Sequence, residues 1–440
     1  MRPLYPLHIF GLLYSILLVG VGSTVEAKVF RVGYGQQNIT PARPMPMWGY
    51  GARHDALSTG VRDPLFAKAI VIEAGTSRLA IVALDLGRAP AGDSMQRIRD
   101  SLKSDYNIEH VLICGSHTHH GPVIELRDRE GHGKGKFDDA VEYASNLEAK
   151  IVQAIGSAAN DLKDAKIAWG AASIDMNRNR HSKLEPKPVD PELGVIRLDT
   201  LDDKPIAILV NYAAHSTMLD SKDLRYSADW PGQMTQAVAK ECGAPCLFLQ
   251  GAAGDLSART DEDTRTIETF GAKLGSEVAA IFNSLKPEVP ARPGIKAKRT
   301  VFDFSTRLPL REPLTQLAFR QAFFPELVTA TIAQEAVDDQ LHPETTTILL
   351  NRQLALVAAS GEFFSQHANS LKQRSRADET FFIGYCNGHH MYFPTIEGAA
   401  EGGYGADAAV SWVQLGAGEA MINQALIDIY TFKGSFFLTP

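Results

Sequence analysis

The sequence predicts an α/β protein in which a mixed sheet core is flanked by helices, organised as a single large domain. Two observations support this class. Apolar runs rich in β-branched residues alternate with helical patterns over most of the 440 residues, as is typical of sheets covered by helices. The composition, 45% hydrophobic and 22% charged, is that of a globular chain long enough to bury a large core.

The first 27 residues have the organisation of a signal peptide. A single arginine precedes an apolar segment from Leu7 to Val21, and small residues lead up to Ala27. This pattern predicts cleavage after Ala27. An uncleaved anchor helix is the alternative, although the apolar run is short for a bilayer. Either interpretation predicts a secreted or periplasmic protein, with residues 28–440 as its single domain.

Seven apolar runs predict strands, and five helical patterns lie among them. The predicted strands cover residues 66–75, 78–87, 110–117, 206–215, 245–255, 354–364 and 381–390. The predicted helices cover residues 94–105, 138–162, 231–242, 264–285 and 418–432. The third helix places Pro231 in its first turn, where proline lacks only an N–H that the helix does not use. No internal repeat or long linker divides the chain.

Charge and cysteine content narrow the choice of partner and compartment. The net charge is -7 and the lysines and arginines are scattered, so the sequence predicts no nucleic-acid partner.

The four cysteines, Cys114, Cys242, Cys246 and Cys386, allow three pairings in an oxidising compartment. Cys242 and Cys246 are near enough in sequence to pair, and buried free thiols are the alternative.

Residues of the kinds that bind metals follow the C-terminal ends of the predicted strands. They are His117, His119, His120, His215, Asp255, Glu362, His389, His390 and Tyr392. In open α/β sheets the carboxyl ends of strands converge on the ligand crevice. The sequence therefore predicts that residues from separate strands form one site.

Zinc is the metal that this set of residues favours. Imidazole and carboxylate groups bind zinc, and a catalytic zinc takes three protein ligands and leaves a position for water. His117, His215 and Glu362 would supply two histidines and one carboxylate. Alternate side chains of an extended segment point the same way, so His119 also faces the metal, as a ligand or a proton-transfer group, and His120 points away. Taken singly, each histidine is equally well explained as a hydrogen-bonded structural residue.

Six segments, in order along the chain, resemble signatures of the neutral ceramidases, zinc-dependent enzymes that cleave the amide bond of N-acylsphingosines. They are GSHTHHGP (similar to THTHSGP), NYAAHSTM, SADWPG, GAAGDLS, SGEFFSQHANSLK and IGYCNGHHMYFPTIEGAAEGGYG (similar to N-x-Y-x-x-Y-x-T-T). The resemblance runs from about Val32 to Gln414. It implies the N-terminal catalytic domain of the neutral/alkaline non-lysosomal ceramidases, without their C-terminal immunoglobulin-like domain.

The resemblance implies a role for each matching residue of the metal site. It makes His117, His215, Glu362 and Tyr392 the ligands of one Zn2+. It makes His119 the residue that transfers protons. Tyr392 is implied by the resemblance alone, since a phenol binds metal only after losing its proton.

Further residues match positions that act on the substrate or support the ligands. Arg178 and Tyr404 match residues that stabilise the reacting group, and Arg180 competes with Arg178 for this assignment. Asp255 and Asp229 are expected to form turns and orient the ligands. The partner implied is a small-molecule or lipid substrate, with peripheral membrane contact as a further option.

Two departures from the family pattern concern the substrate. Gly251 replaces a serine of the ceramidases, and the interval between His117 and Glu362 is shorter than theirs. The expectation is that a head-group contact is lost and the crevice walls are trimmed, so long-chain ceramide is a poor substrate and Gly251→Ser leaves zinc binding unchanged. Two alternatives stay open: a zinc amidase or esterase with a smaller substrate, and a catalytically silent binding protein.

Overall fold

The α/β class predicted from the sequence is confirmed by the computed structural model, which describes residues 29–337 and 339–436. The predicted signal peptide lies outside the described residues. The strands are β1 (Phe30–Asn38), β2 (Gly60–Val61), β3 (Phe66–Ala74), β4 (Ser77–Leu84), β5 (His110–Gly115), β6 (Lys163–Ser173), β7 (Asn177–Asn179), β8 (Glu192–Thr200), β9 (Pro205–Tyr212), β10 (Arg225–Tyr226), β11 (Cys246–Gln250), β12 (Leu256–Ala258), β13 (Ile295–Val301), β14 (Phe304–Ser305), β15 (Ala336–Val337), β16 (Gln340–Leu341), β17 (Glu344–Leu350), β18 (Leu354–Ala359), β19 (Glu362–Phe363), β20 (Glu379–Ile383) and β21 (Tyr392–Phe393). An eight-stranded mixed sheet has the order β11-β9-β8-β6-β1-β3-β4-β5, and a four-stranded sheet has the order β13-β17-β18-β20.

Helices cover the outer faces of the two sheets. The α-helices are α1 (Asp93–Tyr106), α2 (Asp138–Asn160), α3 (Asp229–Cys242), α4 (Ile267–Ser284), α5 (Pro313–Ala322), α6 (Pro325–Glu335), α7 (Ser365–Arg374), α8 (Ile396–Glu401) and α9 (Ala417–Lys433). All five predicted helices are present, with ends within three residues of the expected ones. No helix in the described part of the chain is long and apolar enough to span a bilayer.

The two sheets pack face to face, and the alternation of side chains shows how. In β18, Leu354 and Leu356 point into the layer between the sheets, whereas Ala355 and Val357 face the helices on the other side. Such two-sided burial produces the continuous apolar runs from which these strands were predicted. Burying each leucine fully stabilises the fold by about 1.5–3 kcal/mol.

The sequence missed elements whose apolar pattern is interrupted. Strand β6 reads KDAKIAWGAAS and is half-exposed along its length, and α5 has no buried residue. The predicted strand 354–364 is two strands, because β18 ends at Ala359 and β19 begins at Glu362. The break in this last strand matters for function, since it turns Glu362 out of the sheet.

Candidate metal centre

Four ligand-type residues reach one point from two neighbouring parts of the fold. His117 follows β5 and His215 follows β9. Glu362 and Tyr392 lie directly opposite each other in the parallel pair β19–β21. Gly361, with φ of +148°, permits this turn, because a Cβ there would lie 2.4 Å from the Phe393 ring.

Four pairs of potential ligand atoms among these residues lie within hydrogen-bonding distance. The distances are 3.0 Å between the Nε2 atoms of His117 and His215, 3.2 Å and 3.3 Å from Glu362 Oε2 to those two nitrogens, and 3.4 Å from the Tyr392 hydroxyl to His215 Nε2. Glu362 Oε2 is buried and receives no hydrogen bond from any described residue. A buried carboxylate oxygen without a donor is costly, and a bound cation would remove that cost.

The backbone fixes which nitrogen of each histidine faces this point. His117 Nδ1 lies 2.9 Å from the carbonyl oxygen of Gly87, and His215 Nδ1 lies 2.6 Å from that of Ala253. Because a carbonyl accepts, both Nδ1 atoms donate, and both Nε2 atoms keep a lone pair for a metal. His117 holds a left-handed backbone conformation, φ 63°, while its N–H donates to the Leu86 carbonyl.

The electrostatic environment favours the protonation states that bind metal. Burial lowers the pKa of His215 to about 3, and nearby Arg180 acts in the same direction. Burial opposes ionisation of Glu362, but His117, His215 and His389 outweigh it and hold the pKa of the carboxyl well below its usual range. A neutral His215 thus lies beside an ionised Glu362, as metal binding requires. Burial raises the pKa of Tyr392 well above its usual range, so this phenol stays protonated until a cation binds.

His119 lies at the edge of the cluster. Its Nε2 is 3.3 Å from His117 Nε2, and its ring packs edge-on against Trp48 and Tyr50. Gly49 makes room for the ring: its φ is +104°, and a Cβ there would lie 2.4 Å from His119 Cγ. The position suits either a ligand or a proton-transfer group. His120 contacts Arg53 at 2.6 Å, on the side away from the cluster.

Arg180 and Arg178, the residue matched from the sequence, are both exposed as whole residues, but the guanidinium of Arg180 reaches the cluster. In β7 the side chains of Asn177 and Asn179 turn inward and donate to buried oxygens, so Arg178 between them points to solvent. Arg180 Nη2 lies 2.8 Å from His215 Nε2 and 3.1 Å from the Tyr392 hydroxyl. The geometry therefore favours Arg180, the competing residue, for contact with the site, and the role of either arginine stays a prediction.

His389 belongs to the site although the sequence analysis gave it no role. Its Nε2 lies 3.1 Å from Glu362 Oε1, so the two oxygens of Glu362 face different partners. His117, Glu362 and His389 also form a group that could hold a metal ion. His389 stands where the ceramidase motif N-x-Y-x-x-Y has its first tyrosine, and this departure was the available signal.

Two buried aspartates hold the ligand segments in place. Asp255 accepts hydrogen bonds from the Ser365 N–H (2.6 Å) and the Asn179 side chain (2.7 Å), which joins the Glu362 and Arg180 segments. Asp229 accepts from the backbone N–H groups of Met218 and Leu219, just after His215. Burial raises the pKa of both carboxyls to about 6. Their contacts are those of groups that orient ligands.

An apolar cleft opens above the cluster. Its lining includes Met47, Trp48, Tyr50, Phe319, Phe323, Leu327, Val328, Ile332, Met391, Val410 and Trp412, with Glu362, His389, Tyr392 and Tyr404 beside them. The ring of Tyr404 meets that of Tyr392 edge-on at 5.7 Å. Helices α5 and α6, which precede Glu362, form one wall. The expectation that the shorter interval before Glu362 trims the crevice walls stays a prediction.

Gly251 does not line the cleft. It is buried behind His215, and a Cβ there would lie 2.9 Å from the Ala213 Cβ. A serine at this position has no room unless the segment leading to His215 shifts. The departure at Gly251 is therefore a packing feature here, and the expectation that Gly251→Ser leaves zinc binding unchanged no longer follows.

Comparison with known proteins confirms the resemblance. The family described as neutral/alkaline non-lysosomal ceramidase, N-terminal, matches residues 30–245. A neutral ceramidase of Mycobacterium tuberculosis is 24% identical over 63% of this chain, and one of Oryza sativa subsp. japonica is 28% identical over 56%. The crystal structure of neutral ceramidase from Pseudomonas aeruginosa superposes with a TM-score of 0.73, covering 93% of this chain and 75% of that chain at 18% identity.

A second solved structure, described as ceramidase complexed with C2, gives the same TM-score of 0.73 with 17% identity, covering 94% of this chain and 76% of that chain. These two structures show a shared fold. The matched regions span 49% of the length of the mycobacterial protein and 34% of the rice protein.

Proposed function

Because this chain is a relative of the neutral/alkaline non-lysosomal ceramidases in sequence and fold, we propose that it is an exported zinc-dependent hydrolase of N-acyl amides related to N-acylsphingosine. The observation that carries the proposal is the convergence of His117, His215, Glu362 and Tyr392 on one point at the foot of an apolar cleft. At this point Glu362 Oε2 is buried and accepts no hydrogen bond from a described residue. Export rests on the first 27 residues of the sequence.

The donor set fits zinc. Two imidazoles, one carboxylate and one phenol would offer nitrogen and oxygen ligands of the kinds that zinc accepts. When bound, zinc supplies Lewis acidity at a carbonyl oxygen and lowers the pKa of a water toward neutrality.

The residues around the cluster perform the remaining steps. Burial, with His117 and His215 adding to it, holds the pKa of His119 well below its usual range, so its imidazole is neutral in the metal-free protein. His119 takes a proton from the attacking water and passes it to the leaving amine, as general acid–base catalysis requires. Arg180 and Tyr404 are the donors for the oxyanion that develops on the carbonyl oxygen.

The lining of the cleft favours an acyl chain as the group that binds there. Its wall of aromatic and aliphatic side chains from α5, α6 and the segment around Trp412 excludes water and matches a hydrocarbon chain. A carbonyl at the foot of such a cleft lies beside the metal ligands. An N-acyl lipid has both the hydrocarbon chain that fits the cleft and the carbonyl that lies beside the ligands. The protein would reach such a substrate by contact with a membrane surface.

A substrate panel distinguishes the lipid amide from smaller substrates. We expect kcat/KM to rise at least about tenfold as the acyl chain of an N-acyl amine is lengthened, since each buried methylene contributes about 0.8 kcal/mol. Ceramide, short N-acyl amines and the matching esters are compared under one set of conditions. A rate independent of acyl length would favour the smaller-substrate amidase or esterase, and no hydrolysis of any of them would favour a silent binding protein.

Arg180→Ala should lower kcat/KM by about 10²- to 10³-fold, the usual effect of removing one donor to a developing oxyanion. The matched control is Arg178→Ala, two residues away and exposed, which should change kcat/KM by no more than about twofold. Steady-state kinetics of both variants on one fluorogenic N-acyl amide test the assignment. A large loss in Arg178→Ala with a normal Arg180→Ala would reverse it.

His389→Leu should weaken zinc affinity about 10- to 100-fold, because it removes the donor that orients Glu362. His389→Gln keeps a donor near the position of Nε2 and should stay within a few-fold of the wild type. Both affinities are measured by competition with a chelator. Unchanged affinity in His389→Leu would exclude the orienting role, and a Gln variant as weak as the Leu variant would make His389 a ligand.

A further inference from the structure

Cys114 and Cys386 lie directly opposite each other where β5 meets the segment that follows β20. They form an antiparallel bridge with a backbone hydrogen bond on either side. The two bonds run from Gly115 N–H to the Tyr385 carbonyl, 3.2 Å, and from Asn387 N–H to the Ile113 carbonyl, 2.9 Å. This pattern defines the non-hydrogen-bonded type of antiparallel pair, in which the Cα atoms are about 4.5 Å apart and the side chains lie on the same face.

That geometry meets the requirement of a disulfide. A disulfide spans Cα atoms about 4.4–6.8 Å apart, so a bond between these residues needs little backbone movement. Both side chains are buried in the apolar layer between the two sheets, and both thiols are free in the present structure. Cys242 and Cys246, the nearest pair in sequence, instead belong to successive elements, the end of α3 and the start of β11.

We propose that Cys114 and Cys386 form a disulfide when the chain folds in the presence of a disulfide oxidant such as glutathione disulfide. The thiolate of one cysteine attacks a sulfur of the oxidant and releases one glutathione thiol. The other cysteine then displaces the second glutathione, with loss of its proton. The two protein thiols are oxidised together, and the oxidant is reduced to two thiols.

The bond forms during folding rather than afterwards. Burial, together with the neighbouring Cys114, raises the pKa of the Cys386 thiol well above its usual range. Little Cys386 thiolate exists once the sheets have packed, and burial between the sheets keeps external thiols and disulfides away from both sulfurs, so exchange in the folded protein is slow in both directions. The reduced folded protein is therefore protected from the oxidant, and the disulfide is protected from reductant.

The cross-link joins the two halves of the metal centre. Cys114 stands three residues before His117, and Cys386 stands three before His389 and six before Tyr392. The bond also closes most of the chain into one loop, which removes conformational freedom from the unfolded state. It is independent of the proposed hydrolysis and holds whether or not the protein is an enzyme.

Peptide mapping of the wild-type protein tests the bond directly. The denatured, reduced mature chain is refolded in a mixture of glutathione and glutathione disulfide, then alkylated, digested and analysed by mass spectrometry without reduction. We expect one linked pair of peptides, carrying Cys114 and Cys386 and two hydrogens lighter than the separate thiols, with Cys242 and Cys246 alkylated. Alkylation of Cys114 and Cys386, or a bond from either to Cys242 or Cys246, would overturn the proposal.

A matched pair of double variants measures the effect on stability. Cys242→Ala/Cys246→Ala should melt on the order of 4 °C higher after oxidative refolding than after reduction in denaturant and refolding without oxidant. Cys114→Ala/Cys386→Ala should show no such difference. The same difference in both double variants would contradict the pairing.

Discussion

His117→Ala and His215→Ala are each expected to lose nearly all zinc binding and all measurable hydrolysis while keeping the fold. Each substitution removes one of the four proposed ligands. His117 and His215 both lie beside Glu362 Oε2, so an alanine at either position leaves that side of the site without a ligand atom. Zinc content after dialysis, circular dichroism and hydrolysis of a fluorogenic N-acyl amide are measured on the same preparations.

The control for these variants is His342→Ala. His342 is half-exposed and pairs with Asp303, and its replacement should leave zinc and activity unchanged. Stoichiometric zinc in both ligand variants would remove the proposed site.

His119→Ala is expected to retain zinc and to lose at least about 100-fold in kcat, because a positioned acid–base group contributes about 10²–10⁴-fold. Trp48 and Tyr50 enclose the ring of His119, so the variant leaves a cavity of the shape of an imidazole. Added imidazole should therefore restore part of the activity.

Zinc content distinguishes the two roles that the geometry allows for His119. Its Nε2 is close enough to His117 Nε2 to share a metal. If the variant loses zinc and imidazole restores the metal, His119 is a ligand and the ligand set has to be revised.

The strand ends that carry the proposed metal ligands were predictable because the strands before them are buried on both faces. Continuous apolar runs identify β5 and β9, and the first histidine beyond each belongs to the site. Glu362 was also predictable from the sequence, because Gly361 directly before it marks the end of the apolar run of β18. Tyr392 was not, because a protonated phenol has no metal-binding signature in sequence and only the resemblance pointed to it.

The choice between Arg178 and Arg180 shows what a linear motif leaves open. Arg178 lies within β7, a strand three residues long, and Arg180 is the first residue beyond it, so the side that Arg180 faces depends on where pairing with β12 ends. Hydrogen bonds of Asn177 and Asn179 decide this, and their partners lie far away in the chain. Such long-range contacts cannot be derived from local sequence.

The apolar wall of the cleft was missed for a related reason. Helix α5 has no buried residue, so its apolar side chains, including Phe319, give no core-facing stripe. Phe319 faces the cleft and packs against Trp412, with the two rings 5.6 Å apart. A sequence pattern that reports core burial does not report the lining of an open site.

Removal and return of the metal on the purified mature protein is the measurement that bears most directly on the proposed function. The chain is stripped with a chelator, and hydrolysis of a fluorogenic long-chain N-acyl amide is followed as zinc is added back, with Glu362→Gln in parallel. We expect no turnover without metal, full recovery at about one zinc per chain, and no recovery in the variant. Turnover by the stripped protein, or equal recovery in Glu362→Gln, would contradict a zinc hydrolase built on these ligands.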